Sequence, residues 1–232
     1  MNDAKRRLNP SIFDSRWLPL SKTRKHLEFI IENYLKGKGD KVLADFGCGD
    51  MPYKPILSPF VSNYIGLDLK ENKLADIHIS PEGKIQLEEN SVDIILSTQV
   101  LEHVEDPAGY LDESFRVLKN NGQLVISTHG YWIYHPTPFD YWRWTSSGLQ
   151  KVLKKAGYEI EYFKGILSRP AVGLLLIQDS LIFKIPKFLI PLIAFPFQIM
   201  MFLIDKILAS QKSRDSDAAI YIAVCKAVKN QH

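Results

Sequence analysis

Apolar residues follow two rhythms along the chain. Short, nearly unbroken apolar runs near 42–46, 62–67, 75–79, 91–98, 123–128, 158–163 and 218–227 read as strands. In Ser91-Val-Asp-Ile-Ile-Leu-Ser-Thr98 the consecutive Ile94, Ile95 and Leu96 predict a central strand covered on both faces. Between these runs the spacing changes to threes and fours. Leu27, Ile30, Ile31, Tyr34 and Leu35 share one face of a helix over 22–36, with Ser21 as its N-cap and Gly37 as its end. Asp106-Pro107 opens a second helix over 107–118, an N-cap followed by proline at the first position. Asn120-Asn121-Gly122 turns the chain into the next strand, and a third helix runs from Ser146 to Ala156, closed by Gly157. Strands alternating with helices predict an α/β fold with a largely parallel sheet.

Segment 170–209 departs from that alternation. Phe188 to Ile204 is apolar except for Gln198, and Lys184, Lys187, Asp205 and Lys206 bracket it. Seventeen residues reach the lower limit for a membrane span, yet Pro191 and Pro196 interrupt it. A single crossing would also strand 218–227 on the wrong side of the membrane from its sheet. The expectation is a helical hairpin, in pieces near 171–183 and 188–208, that lies on a membrane or meets a second copy of the chain. A helical cover packed on its own domain is the alternative.

The strand 42–46 ends in Asp45-Phe-Gly-Cys-Gly-Asp50, and a second strand ends about 20 residues later in Asp68. Glycines let a ligand approach backbone, and an acid at the next strand end takes a ribose diol. A dinucleotide fingerprint needs a third glycine and a helix N-terminus for its diphosphate. Here Pro52 holds the third-glycine position, Asp45 and Asp50 flank the turn, and no Lys or Arg follows until Lys54. Carboxylates favour a cation over a diphosphate. S-adenosylmethionine, with a ribose, a sulfonium and an ammonium but no phosphate, fits better than NAD or ATP.

Composition narrows the classes. At 232 residues, with a formal net charge of +3, the chain suits one α/β domain with an insertion and gives no reason to expect nucleic acid. The N-terminal cluster Lys5, Arg6, Arg7, Arg16, Lys22, Arg24 and Lys25 is either a solvated basic arm or a face toward acidic lipid or an anionic substrate. Cys48 and Cys225 are the two cysteines, far apart, so neither a disulfide framework nor a metal cluster is expected and a reducing compartment is natural. The polar N-terminus lacks a signal-peptide core, which places the expected location in the cytoplasm, at the inner face of the membrane if the hairpin docks there.

Ligands of such sheets bind at strand carboxyl ends, here Gly47-Cys48-Gly49, Asp68-Leu69, Ser97-Thr98-Gln99 and Thr128-His129-Gly130. Glu102 and His103 follow the third end. His103 and His129 are the candidates for acid–base work, while Glu102 is expected to cap or pair locally. Residues 129–145 then place seven aromatics, two histidines and Arg143 in one 17-residue loop. Aromatic faces suit sugar rings or adenine, and arginine suits a carboxylate or phosphate. Tyr131, His135, Asp140, Tyr141 and Arg143 are its candidate substrate residues. A self-packed lid is the structural alternative.

Taken together, Leu43-Ala-Asp-Phe-Gly-Cys-Gly49, Ile65-Gly-Leu-Asp68, Asn90 to Val104 and Arg116 to Val125 resemble the class I S-adenosylmethionine-dependent methyltransferases of the type 11 group. The resemblance covers about 41–165 plus the last strand. It implies a Rossmann-like, doubly wound sheet of seven strands with the last antiparallel. It also implies that Asp45, Gly47 and Gly49 contact the methionine end, Asp68 the ribose hydroxyls, and Gln99 the surroundings of the sulfonium. Cys48 and Leu69 stand at the same two strand ends. The stretch His135 to Thr145 resembles, more loosely, a subset of bacterial surface-polysaccharide enzymes. The acid usually found beside the adenine is not matched, since Asp76 sits early.

The expected organisation is an N-terminal basic arm and helix over 1–40, a methyltransferase domain over 41–169 plus 214–232, and an apolar helical insertion over 170–213. The expected activity is methyl transfer from S-adenosylmethionine to a small-molecule or glycan acceptor, as in surface-polysaccharide or lipid-linked glycan synthesis, without a metal. The rival readings are another nucleotide-dependent enzyme and a non-catalytic binding or assembly protein on the same scaffold.

Overall fold

The structure is a computed structural model describing residues 3–35, 40–80 and 82–229. Seven strands form one sheet: β1 (Val42–Phe46), β2 (Asn63–Asp68), β3 (Ile77–His78), β4 (Val92–Thr98), β5 (Leu118–His129), β6 (Tyr158–Ser168) and β7 (Ala218–Ala227). Their order is β3-β2-β1-β4-β5-β7-β6, with β7 antiparallel to both of its neighbours and the pairs from β3 to β5 parallel. The strand order reverses beside β1, which is where ligands of open α/β sheets bind.

Alternation along the strands builds two cores. Leu43, Ile94, Leu96, Val125, Ile222 and Val224 face one layer, and Ala44, Ile95, Leu124, Ile126, Ala223 and Cys225 face the other. The first layer is covered by α1 (Asp3–Leu8) and α2 (Trp17–Ile30) together with α6 (Arg169–Ile182) and α7 (Ile190–Ile207). The second is covered by α4 (Pro107–Val117) and α5 (Ser146–Lys155). Short helices α3 (Lys54–Leu57) and α8 (Gln211–Ser216) complete the chain. Asp106 caps α4 by accepting from the Ala108 and Gly109 amides, both at 3.1 Å, as its position before Pro107 predicts.

The first long helix starts earlier than expected. Ser21 lies inside α2, which begins at Trp17 and continues past Ile30 as a π-helical turn, Ile31–Leu35. Its start is set by tertiary contacts: the Leu18 amide donates to Gln198 Oε1 of α7 at 2.9 Å. Gly37 lies outside the described residues. β5 and β6 are longer than their apolar runs because β7 pairs with both along most of its length.

Helix α7 is turned inside out. Its polar Gln198 and Asp205 are fully buried, while Leu192 and Ile207 are more than 70% exposed. Gln198 donates to the Ser15 carbonyl and to Gln178 of α6, both at 2.8 Å. Asp205 accepts from Lys22 Nζ at 2.6 Å and from the Ser168 amide at 2.7 Å. These buried polar ties fix the hairpin to α2 and β6 and leave its apolar side outward.

Candidate active site

The site begins where β1 stops. Gly47 and Gly49 both adopt left-handed backbone, at φ +80° and +54°. A Cβ on Gly47 would lie 2.5 Å from Val100 Cγ2, so only glycine lets the turn pass under the β4 end, whereas Gly49 faces open space. The Gly47 and Cys48 amides donate to the Leu67 carbonyl at 2.8 and 3.0 Å, docking the turn onto β2. Asp68 then reaches across it. One carboxylate oxygen accepts from the Gly49 amide at 2.8 Å and the other from the Leu69 amide at 2.8 Å. Asn72, which sequence reasoning did not single out, completes the corner by donating to Asp68 Oδ2 and to the Gly49 carbonyl, both at 2.7 Å. Its place one turn after Asp68 was the available signal. Leu69, 37% exposed, offers an apolar surface beside this corner.

Two buried acceptors in this neighbourhood have no hydrogen-bond partner: Asp45 Oδ1 and Gln99 Oε1. Asp45 is 2% exposed and accepts on its other oxygen from the Tyr64 hydroxyl at 2.5 Å. Burial pushes its carboxyl up to about 7, against the downward pull of the Tyr64 bond. Gln99 sits in left-handed backbone at the end of β4, its amide nitrogens both held by Ser127. Orphaned acceptors beside a glycine turn suit a ligand carrying cationic or N–H groups. They fit the methionine end and sulfonium of S-adenosylmethionine. Burial and the surrounding carboxylates push the Cys48 thiol well up, which keeps it a neutral lining group. Asp76 is spent within the sheet: its carboxylate takes the Gly66 amide at 2.7 Å. A cleft of about 560 Å³ opens beside the turn, lined by Ala4, Leu8, Asp50, Met51, Pro52 and Leu74 among others. Helix α1 closes it, with the Ala4 amide donating to Asp50 at 2.5 Å.

The candidate acid–base residues separate. His129 is 4% exposed, stacked on Trp132 at 4.5 Å between ring centres, with Nδ1 2.7 Å from Glu102 Oε1. It is a core partner of Glu102, so in this geometry it has no direct path to an acceptor. Burial lowers its pKa, partly offset by Glu102. Glu102 is expected to cap or pair locally; instead its partners come from the end of β5, His129 and the Thr128 hydroxyl, which it takes at 2.8 Å. Its backbone carbonyl anchors the loop by accepting from the Tyr141 and Trp142 amides at 2.9 and 3.1 Å. His103 is half-buried at the crevice edge, its ring 4.9 Å from that of His135.

The aromatic loop is held by Arg143. The guanidinium gives two bonds of 2.6 Å to Asp140 and further bonds to the carbonyls of Trp132, Ile133 and Trp142. All five N–H donors are used, so Arg143 acts here as the loop's clasp, and an acceptor anion would have to displace one of these bonds. Burial pushes the Asp140 carboxyl up, but Arg143 and the His135 amide together bring it down to about 2. Tyr141 is 45% exposed and stacks on Phe139 at 5.6 Å. Tyr131 stands apart from the group, its amide bound to the Ala218 carbonyl and its hydroxyl facing Asp217. Arg16, grouped in sequence with the basic arm, instead pairs with Asp179 of α6 and lies 5.1 Å over the Trp132 ring. It joins the hairpin to the loop.

Residues 44–126 match the type 11 family of methyltransferase domains. A probable S-adenosylmethionine-dependent methyltransferase of Mycolicibacterium smegmatis is 28% identical over 139 residues, 53% of this chain and 54% of that protein. A ubiquinone biosynthesis O-methyltransferase of Hydrogenovibrio crunogenus is 31% identical over 103 residues, 38% of this chain and 43% of its own. The chain thus spans about half the length of the curated relatives it matches. Among solved structures, the [4+2]-cyclase SpnF shares the fold with a TM-score of 0.60 at 16% identity, over 94% of this chain and 85% of that one. In its matched segment, its sheet order and its glycine turn, the chain is similar to the class I S-adenosylmethionine-dependent methyltransferases of the type 11 group.

Proposed function

We propose that this protein transfers the methyl group of S-adenosylmethionine to a small-molecule or glycan acceptor seated under the aromatic loop, working at a membrane surface on the cytoplasmic side. The observation that carries the chemistry is the β1 corner: two left-handed glycines, Asp68 reaching across the turn, and the unpartnered oxygens of Asp45 and Gln99. Asp68, Gly47, Cys48, Gly49 and Leu69 would hold the nucleoside, and Asp45 and Gln99 the charged end. Bound there, the cofactor supplies an electrophilic methyl carbon. The protein's own contribution is placement. The loop clasped by Arg143 excludes water and aligns the acceptor atom, and alignment alone can account for several orders of magnitude in rate. His103 is the remaining group at the crevice edge able to take a proton.

The exposed apolar side of α6–α7 supports the membrane reading. Phe183 and Phe188 at the bend are 89% and 78% exposed, next to Lys184 and Lys187. Lys187–Ile207 is long and apolar enough to cross a membrane, yet only 22% of it is buried. The buried ties of Gln198 and Asp205 hold it against the domain, which favours lying in the interface over crossing. Anionic headgroups add roughly 1 kcal/mol for each nearby lysine. A lipid-linked glycan would bring the acceptor to the same surface, and the free, buried Cys48 and Cys225 suit a reducing compartment.

Two experiments test this. Methyl transfer from labelled S-adenosylmethionine into a lipid extract should appear with wild type and vanish in Asp68→Ala. Because a cyclase shares the fold, the absence of any turnover beside normal cofactor binding would favour a non-methylating role. In flotation, the protein should rise with anionic vesicles, and Phe188→Glu with Leu192→Glu should release it. A soluble monomer that ignores vesicles would leave a second protomer and membrane both excluded.

A further inference from the structure

Absence of a metal was the expectation from the cysteines, but the fold gathers a different donor set. Glu102, His103 and His135 each bring one ligand atom within 4.8 Å of the other two. Glu102 and His103 sit side by side after β4, and His135 arrives 32 positions later because the loop folds back. Its amide donates to Asp140 at 2.9 Å, and Arg143 locks Asp140.

The orientation of the imidazoles is specific. His103 Nδ1 meets the Phe139 carbonyl, and His135 Nδ1 meets the Ile133 carbonyl at 3.2 Å. A carbonyl only accepts, so each Nδ1 carries the proton and each Nε2 keeps its lone pair. Metal-binding histidines are held this way, with the outer nitrogen fixed on a carbonyl. The third donor, Glu102, is 0% exposed and held in place on both oxygens, with Oε1 2.7 Å from His129 Nδ1 and Oε2 accepting from the Thr128 hydroxyl at 2.8 Å. These partners keep it a carboxylate despite burial, which is the form that a cation needs.

We propose that Glu102, His103 and His135 bind one divalent first-row transition ion of the zinc type. Two imidazole nitrogens and one carboxylate oxygen suit Zn²⁺ or Co²⁺ and not Mg²⁺, which keeps to oxygen ligands. Zinc bonds of about 2.0–2.1 Å place ligand atoms roughly 3.3 Å apart, so the ion would draw the loop inward. Three protein ligands leave a position for water or an acceptor oxygen. Its role in catalysis rests on the methyl-transfer reading. With the metal bound, His103 is a ligand and no longer the proton acceptor, so the bound acceptor hydroxyl gives its proton to solvent, and its oxygen lone pair forms the bond to the methyl carbon. The carbon–sulfur bond breaks with its electron pair left on sulfur, as S-adenosylhomocysteine.

The test is titration of chelator-treated full-length protein with Co²⁺ followed by visible absorption, and with Zn²⁺ by calorimetry. One ion per chain is expected. His103→Ala and His135→Ala should each weaken binding at least about tenfold, with the S-adenosylmethionine dissociation constant unchanged within twofold. His103→Ala leaves the Asp140–Arg143 clasp intact, so it separates ligand loss from loop collapse. No saturable binding to wild type, or binding that survives both substitutions together, overturns the proposal. Metal binding without S-adenosylmethionine binding would keep this site and sink the methyl-transfer reading instead.

Discussion

Replacing Asp68 by alanine tests the corner on which the site is built. In the structure its carboxylate accepts from two backbone amides, of Gly49 and Leu69, and from Asn72. Both amides lie where water can replace the lost bonds, so the folded state should lose little, about 1 kcal/mol. The ribose hydroxyls have no such substitute once the cofactor covers the corner. Hydrogen bonds to a charged group are worth about 1.5–3 kcal/mol, which converts to a dissociation constant weakened about 10- to 150-fold. Titration calorimetry with S-adenosylmethionine reads this directly, and a thermal melt controls for folding. Asn72→Ala should follow in the same direction by a smaller amount, since it orients the carboxylate without touching ribose. A folded Asp68→Ala protein with an unchanged dissociation constant would refute the assignment.

Other substitutions probe separate parts of the account. Gly47→Ala should cost about 2–4 kcal/mol in thermal or urea denaturation, from left-handed backbone and the Val100 clash; adding Val100→Ala should return part of it, and no rescue would discount the clash. Arg143→Ala strands the 1%-exposed Asp140 side chain and should cost about 2 kcal/mol, less than a fully buried pair because Arg143 is itself 30% exposed. The loop should then become protease-sensitive and the acceptor KM rise while cofactor affinity holds; a change in cofactor affinity would contradict the clasp role. Burial lifts the Asp45 carboxyl to about 7, so below that pH it is neutral and above it is charged. Affinity for the cationic cofactor should therefore rise with pH through about 7 and proton release should accompany binding, whereas Asp45→Asn should flatten that part of the profile.

The sheet was legible because its strands are buried runs bounded by turn chemistry. Val42–Phe46 and Ala218–Ala227 appear where the apolar runs place them. The start of α2 was not legible: Ser21 has the chemistry of a cap, but Trp17 and Leu18 are held in the helix by α7, some 180 residues away. Glycine spacing and Asp68 announced the left-handed turn after β1 and the carboxylate that reaches across it, since that chemistry is local and repeats a backbone requirement. The acceptor side was announced only as a composition. That His129 turns into the core depends on Glu102 from the turn after β4, and that Arg143 spends every donor on its own loop depends on carbonyls up to 11 residues away. Such pairings follow from how the loop folds, and residue types alone do not fix that. The inverted α7 is a similar case. Its apolar run was plain, but which side Gln198 and Asp205 would face was decided by partners in α2, α6 and β6.

The central claim is that the β1 corner holds S-adenosylmethionine. Titration of the purified wild-type protein with S-adenosylmethionine, with S-adenosylhomocysteine as competitor and NADH in parallel, tests it most directly. The account predicts saturable binding at one site per chain, displaced by S-adenosylhomocysteine and not by NADH. No binding of either sulfur nucleoside, or preferential binding of NADH, would contradict it.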